Sequence, residues 1–455
     1  MKSKNTNLIA LLNVASISFL GILTETSLNV SYTQICKDFN VKLNVVQWIT
    51  SGYLLTIAIL MIGSSYFNER FSAKELFRFS SIAFLIGTFL CMCAPNFELL
   101  LLGRIISACG AGICTPLMFN LIVELVPGDK IGFYMGLTGL VISLAPALGP
   151  FFGGIITYIW NWRIIFGIVT VLGSICLVSG LFFVKKYHRK SHLKLDWIRY
   201  FILAMSFVSL SMGLNLINSK SDFVLSIICL IIFLIFICVF VKLSKNSQKK
   251  LLNIEIFRNS KLVCALIGYF LLQMVDLGSC VILPTYSEIV NHATTMVAGL
   301  ILLPGSFLAA VLNPWFGKIY DKKGPKLPLF MGTFIMLVGT VLLAISQQMN
   351  SASLAVFFTL LICGETMAFN NTLAEAIKLE NKSLHSDVTS VFQTSQQYAG
   401  SIGTILMTNI VSRFQNGVGN TIDLTAKGTS MAFWFASGCG IVILICFAIM
   451  FRKQK

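Results

Sequence analysis

Apolar stretches long enough to cross a lipid bilayer recur along the whole chain. A membrane-spanning helix needs about 20 consecutive, mostly apolar residues, and the 455-residue sequence holds fourteen such stretches. They predict an all-α integral membrane protein whose spans lie near residues 8–30, 46–67, 76–94, 98–124, 133–158, 162–184, 196–217, 222–243, 260–285, 295–316, 327–346, 351–372, 386–412 and 429–451.

The basic residues between these stretches predict the orientation of the chain. If both termini are cytoplasmic, 27 of the 34 Lys and Arg residues lie in cytoplasmic segments, six lie outside and Arg104 lies within a span. Such a bias marks the cytoplasmic side of membrane proteins. If one span were missed, every later loop would be assigned to the other side of the membrane, and the basic residues would no longer concentrate on one side. We therefore expect a multi-pass protein of the cytoplasmic membrane with both termini inside.

Two long basic gaps, residues 185–195 and 244–259, predict the domain organisation. They flank spans 7 and 8, which suggests an N-terminal six-helix bundle over 1–184, an inserted helix pair with its linkers over 185–259, and a C-terminal six-helix bundle over 260–455. The gap at 413–428 is expected to be an exposed outer loop.

Composition excludes several classes of protein. Charged residues make up 11% of the chain and hydrophobic residues 56%, whereas soluble domains are about 25% charged. The net charge of +16 would suggest nucleic-acid binding in a soluble protein, but membrane topology explains it here, so we expect no nucleic-acid partner. Most of the 13 cysteines lie in apolar runs without a C-x-x-C pair, which argues against a metal site or disulfides.

The chain also lacks a phosphate-binding loop and other catalytic signatures. We therefore expect neither an enzyme nor a bound cofactor. Uphill transport would have to draw on an ion gradient.

Three acids lie well inside apolar runs: Glu25, Asp276 and Glu365. An acid in a membrane cavity can exchange a proton and can also attract a cation. Together these properties favour the exchange of a cationic compound for protons. The alternative is a structural acid that bonds to a neighbouring helix.

Arg104 lies within span 4. An arginine at the centre of a bilayer costs about 2.5–3.5 kcal/mol or more, so we expect it to face a polar interior and to have a partner. The alternative is that its side chain reaches the membrane surface.

The segment 317–326 reads G-K-I-Y-D-K-K-G-P-K. It resembles the signature loop of the major facilitator superfamily, in which Gly317 would allow close helix approach, Asp321 would cap a helix end and Gly324 completes the pattern. A degenerate copy at 65–74 keeps Glu69 and Arg70. An ordinary charged loop is the alternative for both.

Span 5 combines prolines with closely spaced glycines. Prolines weaken a helix and can hinge it, and glycines let a neighbouring helix approach closely. The segment is similar to the G-P-x-x-G-G antiporter motif found in exporter branches of the same superfamily, although glycine packing without a transport role is the alternative. The residues concerned are Pro146, Gly149, Pro150, Gly153 and Gly154.

The resemblance extends over nearly the whole chain, through segments 25–30, 47–55, 162–166, 253–259 and 393–404. Together they look like the 14-span drug:proton antiporters typified by EmrB and QacA, and most like the LmrB-like group of Gram-positive bacteria. Many members of the family carry aspartate where this chain has Thr24, and the LmrB-like group places the acid one residue later, as Glu25 does here. The resemblance implies the major facilitator fold, alternating access, and a role in proton coupling for the arginine of span 4.

We therefore expect a monomeric, proton-coupled antiporter that exports toxic or drug-like compounds, lipophilic or cationic, through the lipid bilayer. Proton coupling and cation binding are assigned to Glu25, Asp276, Glu365 and Arg104. The substrate cavity is assigned to Asn29, Trp48, Tyr53, Met118, Phe119, Gln393 and Gln397.

Two alternatives remain from the sequence. The first is an exporter dedicated to a single metabolite or antibiotic. The second is a membrane enzyme or sensor, which the absence of catalytic motifs and of a soluble sensory domain disfavours.

Overall fold

A computed structural model describes residues 2–126, 131–185, 196–217, 222–245, 254–346, 349–381 and 384–452. Every regular element within these ranges is helical. Fourteen helices have at least 15 residues, and each overlaps one of the predicted ranges. They are α1 (Lys2–Ser27), α2 (Trp48–Ile62), α3 (Ala73–Met92), α4 (Phe97–Leu125), α5 (Ile131–Ile159), α6 (Trp162–Phe183), α7 (Trp197–Leu216), α8 (Phe223–Lys245), α9 (Ser260–Ile289), α10 (Thr295–Lys323), α11 (Lys326–Ile345), α12 (Ser351–Lys378), α13 (His385–Gln415) and α14 (Thr421–Met450).

Shorter helical segments connect some of these helices. The chain leaves α1 through a 3-10 turn, Leu28–Ser31, and continues as the short helices Tyr32–Phe39 and Leu43–Val46 before α2. A further short helix, Ser64–Arg70, precedes α3.

Twelve helical segments within the described ranges are long and apolar enough to cross a membrane. The set excludes α13, which carries many polar residues; in α5 the side chains are described only over 144–159, an apolar stretch shorter than a full span. Large apolar side chains on the outer surface, such as Phe182 and Leu234, are exposed. Because exposing so much apolar surface to water is unfavourable, these helices indicate a multi-pass membrane protein.

Side-chain caps fix where several helices begin. The amides of Asn96, Asn161 and Asn350 each accept a hydrogen bond from a backbone N–H in the first turn of α4, α6 and α12. Ser72 and Glu75 form a reciprocal capping box at the start of α3. These bonds satisfy backbone donors that a helix leaves free at its N-terminus.

The predicted loop at 413–428 is wrong in extent. α13 continues to Gln415, α14 begins at Thr421, and five residues separate them. Asn420 caps α14, and Gln415 Nε2 donates to Thr425 Oγ1 at 3.0 Å. The polar composition suggested a loop, but the cap and this interhelical bond keep the polar ends helical. In the two basic gaps, residues 186–195 and 246–253 lie outside the described ranges.

The helices pack in two groups. The first group consists of α1 to α6 and the second of α9 to α14, which we call the N half and the C half. The two halves meet where α5 packs against α10 and where α2 packs against α13. α7 and α8 pack against each other beside the second of these contacts.

Hydrogen bonds attach α7 to both halves. Tyr200 of α7 donates its hydroxyl to the carbonyl of Ile59 in α2 at 3.1 Å. From α13, Tyr398 donates to the carbonyl of Phe207 at 3.0 Å, and Asn409 donates to that of Leu214 at 2.9 Å. The helix pair is therefore anchored at the α2–α13 contact through α7.

Glycines bring α5 against two partners at once. A Cβ atom at Gly149 or Gly153 would collide with Thr26 or with the carbonyl of Ser27 in α1. On the other side, Gly154 lies against the backbone of α10, and a Cβ at Gly299 of α10 would collide with the carbonyl of Pro150. Only a residue without a side chain allows backbones this close.

The signature segment 317–326, most of which forms the end of α10, differs from what the resemblance implies. A Cβ atom at Gly317 would meet nothing within 4 Å, so the expected close helix approach is wrong here. Asp321 is exposed in the last turn of α10 and does not cap α11, whose N-cap position is occupied by Pro325 without a side-chain hydrogen bond. Gly324 ends α10 with a φ of 78° and donates its N–H to the carbonyl of Tyr320 at 2.9 Å.

In the degenerate copy of that loop, Arg70 is exposed at the end of its short helix. The side chain of Glu69 lies outside the described part of the structure.

The α1–α5 contact yields a prediction. Gly153→Ala should destabilise the protein by about 1–3 kcal/mol, because the added methyl group must push α5 away from α1. Gly438→Ala in α14 is the matched control, since a Cβ there meets nothing within 4 Å. Thermal unfolding of the purified variants in detergent measures the difference. Equal midpoints for both variants would show that the contact is looser than described.

Candidate functional site

A cavity of about 370 Å³ lies between the two halves. Its volume is within the range of about 300–1,000 Å³ that is usual for small-molecule sites. Four helices of each half contribute to its wall: α1, α2, α4 and α5 on one side, and α9, α10, α12 and α13 on the other.

The wall supplied by the N half is mainly apolar. Its charged residue is Glu25, and its two hydroxyl groups donate to their own helices: Thr26 to the carbonyl of Ile22 at 3.0 Å and Thr115 to that of Ala111 at 3.2 Å. The residues of this wall are Ile22, Glu25, Thr26, Ile57, Met61, Ala111, Thr115, Phe119, Pro146, Ala147 and Pro150.

The wall supplied by the C half is richer in polar groups. It carries two acids, six amide side chains and a tyrosine hydroxyl, interspersed with apolar residues. Its members are Tyr269, Gln273, Asp276, Leu277, Cys280, Ser306, Ala309, Ala310, Asn313, Ile362, Glu365, Thr366, Phe369, Asn370, Leu373, Gln393, Gln396 and Gln397.

The structure brings the three predicted acids into this one cavity. Glu25 comes from α1, Asp276 from α9 and Glu365 from α12. Asp276 acts electrostatically on both of the others. Like charges at short range repel, so the cluster favours the entry of positive charge, either protons or a cationic group.

Asp276 and Glu365 accept hydrogen bonds only from their own helices within the described ranges. Asp276 accepts bonds from Gln273 at 3.3 Å and from Cys280 at 3.6 Å, and Glu365 accepts one from Thr366 at 3.3 Å. All three donors lie on the same helix as the acid. In the described ranges, the acids thus do not bond to a neighbouring helix, which was the alternative reading of their positions.

Arg104 lies behind the cavity wall and is fully buried, so the alternative that it reaches the membrane surface is wrong. Its Nε donates to the carbonyl of Ile49 at 3.1 Å, and its guanidinium lies 3.8 Å from the ring centroid of Tyr53. Both Nη atoms are buried without a hydrogen-bond partner among the described residues. Arg104 is close enough to Glu25 to attract its carboxylate.

Three of the predicted cavity residues line the cavity: Phe119, Gln393 and Gln397. Met118 does not, because it points into the apolar core of the N half and is fully buried there. It is adjacent to Phe119 in the sequence, so a rotation of about 100° around α4 separates the two side chains.

The other predicted cavity residues also lie off this wall. Asn29 is buried and accepts a hydrogen bond from Thr50 at 3.1 Å. Tyr53 lies under Arg104 and donates to the carbonyl of Gly21 at 3.1 Å. Trp48 is half-buried at the start of α2.

Sequence reasoning missed several polar members of the cavity. They are Tyr269, Gln273, Asn313, Asn370 and Gln396. A signal was present, because amides inside apolar spans usually face a protein interior or a water-filled space. In α5, Pro146 and Pro150 line the cavity, whereas Gly149 and Gly153 face α1.

The described residues contain no group of three or more His, Cys, Asp and Glu side chains placed to hold a metal ion.

Comparisons with known proteins agree with this architecture. The family model described as Major Facilitator Superfamily matches residues 14–404. The chain is 31% identical to the "Lincomycin resistance protein LmrB" of Bacillus subtilis (strain 168), over 94% of this chain and 92% of that protein. It is 25% identical to the "Multidrug resistance protein B homolog" of Mycobacterium tuberculosis (strain ATCC 25618 / H37Rv), over 93% and 79%.

Solved structures are similar in fold. A crystal structure of the peptide transporter POT superimposes with a TM-score of 0.73 at 15% identity, covering 98% of this chain and 95% of that one.

The cavity wall yields a second prediction. In a variant whose 13 cysteines are replaced, Phe119→Cys should react with a hydrophilic maleimide about tenfold faster or more than Met118→Cys, because a buried thiol is inert. Mass spectrometry of membrane vesicles after timed labelling measures both rates. Comparable rates would mean that α4 is rotated relative to the arrangement described here.

Proposed function

Because this chain belongs to the Major Facilitator Superfamily, we propose that it is an efflux transporter that exports drug-like or toxic small molecules across the cytoplasmic membrane. The protein is a transporter and not an enzyme. The names of the relatives, which refer to lincomycin resistance and multidrug resistance, support drug efflux. The size of the cavity between the halves suits a substrate of that kind.

The single observation that carries the mechanism is the convergence of Glu25, Asp276 and Glu365 on one cavity. A carboxylate that holds the amine of a substrate cannot hold a proton at the same time. Protonation discharges the site and releases the cation, and loss of the proton restores the site. Exchange at these acids would make the protein a proton-coupled antiporter.

The membrane potential and the proton gradient would supply the energy. Each elementary charge that moves down 100 mV provides about 2.3 kcal/mol. Arg104 would adjust the charge of Glu25, because it attracts that carboxylate from behind the cavity wall. No organic cofactor or metal enters this scheme.

We further propose fourteen membrane crossings with both termini in the cytoplasm. α13 carries Gln393, Gln396 and Gln397 on the cavity wall, and this need for polar residues explains why its composition is less apolar than that of a lipid-facing span. The division into bundles over 1–184 and 260–455 with an inserted pair over 185–259 follows from this topology. A monomer suffices, because one chain supplies the whole cavity wall.

In this topology the cavity opens toward the cytoplasm. Phe119, Asn313 and Gln393 then lie on the cytoplasmic halves of α4, α10 and α13. At the outer ends the halves are joined, since Thr33 donates a hydrogen bond to Glu288 of α9 and Thr295 of α10 donates to the carbonyl of Gly154 at 3.3 Å. An exporter loads its substrate in such a state, and alternating access would then expose the site to the outside.

A second candidate is an exporter dedicated to one antibiotic or metabolite. The observation that favours it is that the relatives from Bacillus subtilis and Listeria monocytogenes both bear the name of a single antibiotic.

Growth assays test drug efflux and separate the two candidates. Expression in a susceptible bacterium that lacks its own exporters should raise the minimal inhibitory concentrations of several unrelated toxic amines. Lincomycin, the compound in the relatives' names, belongs in the panel. Resistance confined to one chemical scaffold would favour the dedicated exporter. Unchanged inhibitory concentrations for every compound would count against both candidates.

Proteoliposomes test proton coupling. An imposed pH gradient should drive the uptake of a radiolabelled substrate by the wild-type protein. Asp276→Asn and Glu365→Gln should each reduce the gradient-driven rate about tenfold or more, because each removes a proton-binding and cation-attracting group. Glu98→Gln is the matched control, since Glu98 is exposed in the first turn of α4 and lies away from the cavity wall. A wild-type uptake rate that does not depend on the imposed pH gradient would refute antiport.

A further inference from the structure

We propose that the two walls of the cavity recognise the two ends of an amphipathic amine. A head that carries the amine and several hydroxyl or amide groups binds the wall of the C half, and an apolar part binds the wall of the N half. This inference rests on the proposed function and narrows its substrate class.

Among the described residues, amide side chains occur on one wall only. Six of them line the cavity from the C half, while the described residues of the N-half wall include none. A carboxamide offers two donors and a carbonyl acceptor, so it recognises hydroxyl and amide groups in either role. Apolar residues occur on both walls, and the amides therefore distinguish one wall from the other.

Several of these amides are available to a ligand. Gln393 and Gln397 are one helical turn apart on α13, and neither forms a hydrogen bond within the described ranges. Gln396 accepts a bond from Tyr269 at 3.2 Å through its carbonyl, which leaves its amide hydrogens free. Together with Asp276 and Glu365, they surround a polar group with hydrogen-bonding partners and negative charge.

The opposite wall offers a ligand little besides apolar contact. The hydroxyl groups among its described residues, on Thr26 and Thr115, are already bonded to their own helices. Phe119, Met61 and Pro146 are among the side chains that remain to contact a ligand there. Glu25 is the exception, and it faces the acids across the cavity.

Energetics favour a ligand that matches both walls. A lipophilic cation would displace water from the amides without replacing its hydrogen bonds, and a site built to bond polar groups rejects an analogue that lacks them. A neutral polyol would leave the acids without a counter-charge. An amine with a hydroxylated head and an apolar tail satisfies both requirements.

The test compares two amines with the same hexyl tail, of which only one carries a polyhydroxylated chain on its nitrogen. N-hexylglucamine and n-hexylamine share the charged nitrogen and the tail. Calorimetric titration of the wild-type protein in nanodiscs should show that N-hexylglucamine binds about tenfold tighter or more. In the double variant Gln393→Met and Gln397→Met, the ratio of the two affinities should fall to near one, while measurable hexylamine binding shows that the variant is folded.

Two single variants serve as controls. Gln415→Met removes an amide from the same helix but outside the cavity and should leave the ratio unchanged. Phe119→Ala should weaken both amines and keep their ratio, because Phe119 contacts the part that they share. Equal affinities in the wild type, or an unchanged ratio in the double variant, would overturn the inference.

Failure of this inference is distinct from failure of the proposed function. If proteoliposomes export a lipophilic cation such as tetraphenylphosphonium while the two amines bind equally, the protein is an exporter without the two-sided recognition. If no compound in the panel moves, the proposed function itself fails and this inference fails with it.

Discussion

The close contact of α5 with both α1 and α10 is the constraint on which the rest of the structure depends. Three backbones meet there at distances that side chains would forbid. The contact joins the two halves at one end of the molecule and leaves space between them at the other. It also sets what faces that space: Thr26 packs against Gly149, and the adjacent Glu25 lines the cavity, as do Pro146 and Pro150 on α5.

Charge is distributed unequally between the halves. In the N half, Glu25 has Arg104 nearby, and the ring of Tyr53 lies against that buried guanidinium in a favourable cation–π contact. In the C half, Asp276 and Glu365 have no ion-pair partner among the described residues. In a medium of low dielectric, such an imbalance attracts positive charge strongly. The C half is thus the side of the cavity that most requires a cation.

The sequence was sufficient to predict the helices and the three acids that lie within them. Length and apolarity located every long helix, and the cost of burying charge identified Glu25, Asp276 and Glu365 before any fold was known. Their meeting in one cavity was then a consequence of the fold that the family resemblance implied.

The sequence did not predict which face of each helix lines the cavity. Met118 and Phe119 are neighbours of similar hydrophobicity, yet one lies in the core and the other on the cavity wall. In a span surrounded by lipid, apolar residues occupy every face, so the periodic pattern that orients a soluble helix is absent. Amides were mixed guides, since Gln393 and Gln397 line the cavity and Asn29 does not.

The attachment of α7 has a consequence for the surrounding lipid. Its bonds to Ile59 of α2 and, through Tyr398 and Asn409, to α13 place a helix across the seam where the two halves meet. A rocking motion that opened this seam would otherwise admit acyl chains to the interior. With α7 in place, one set of bonds can release while the other holds, and the helix still covers the gap. If the halves rock as proposed, α7 and α8 form a lateral barrier, which keeps the transport route separate from the surrounding lipid.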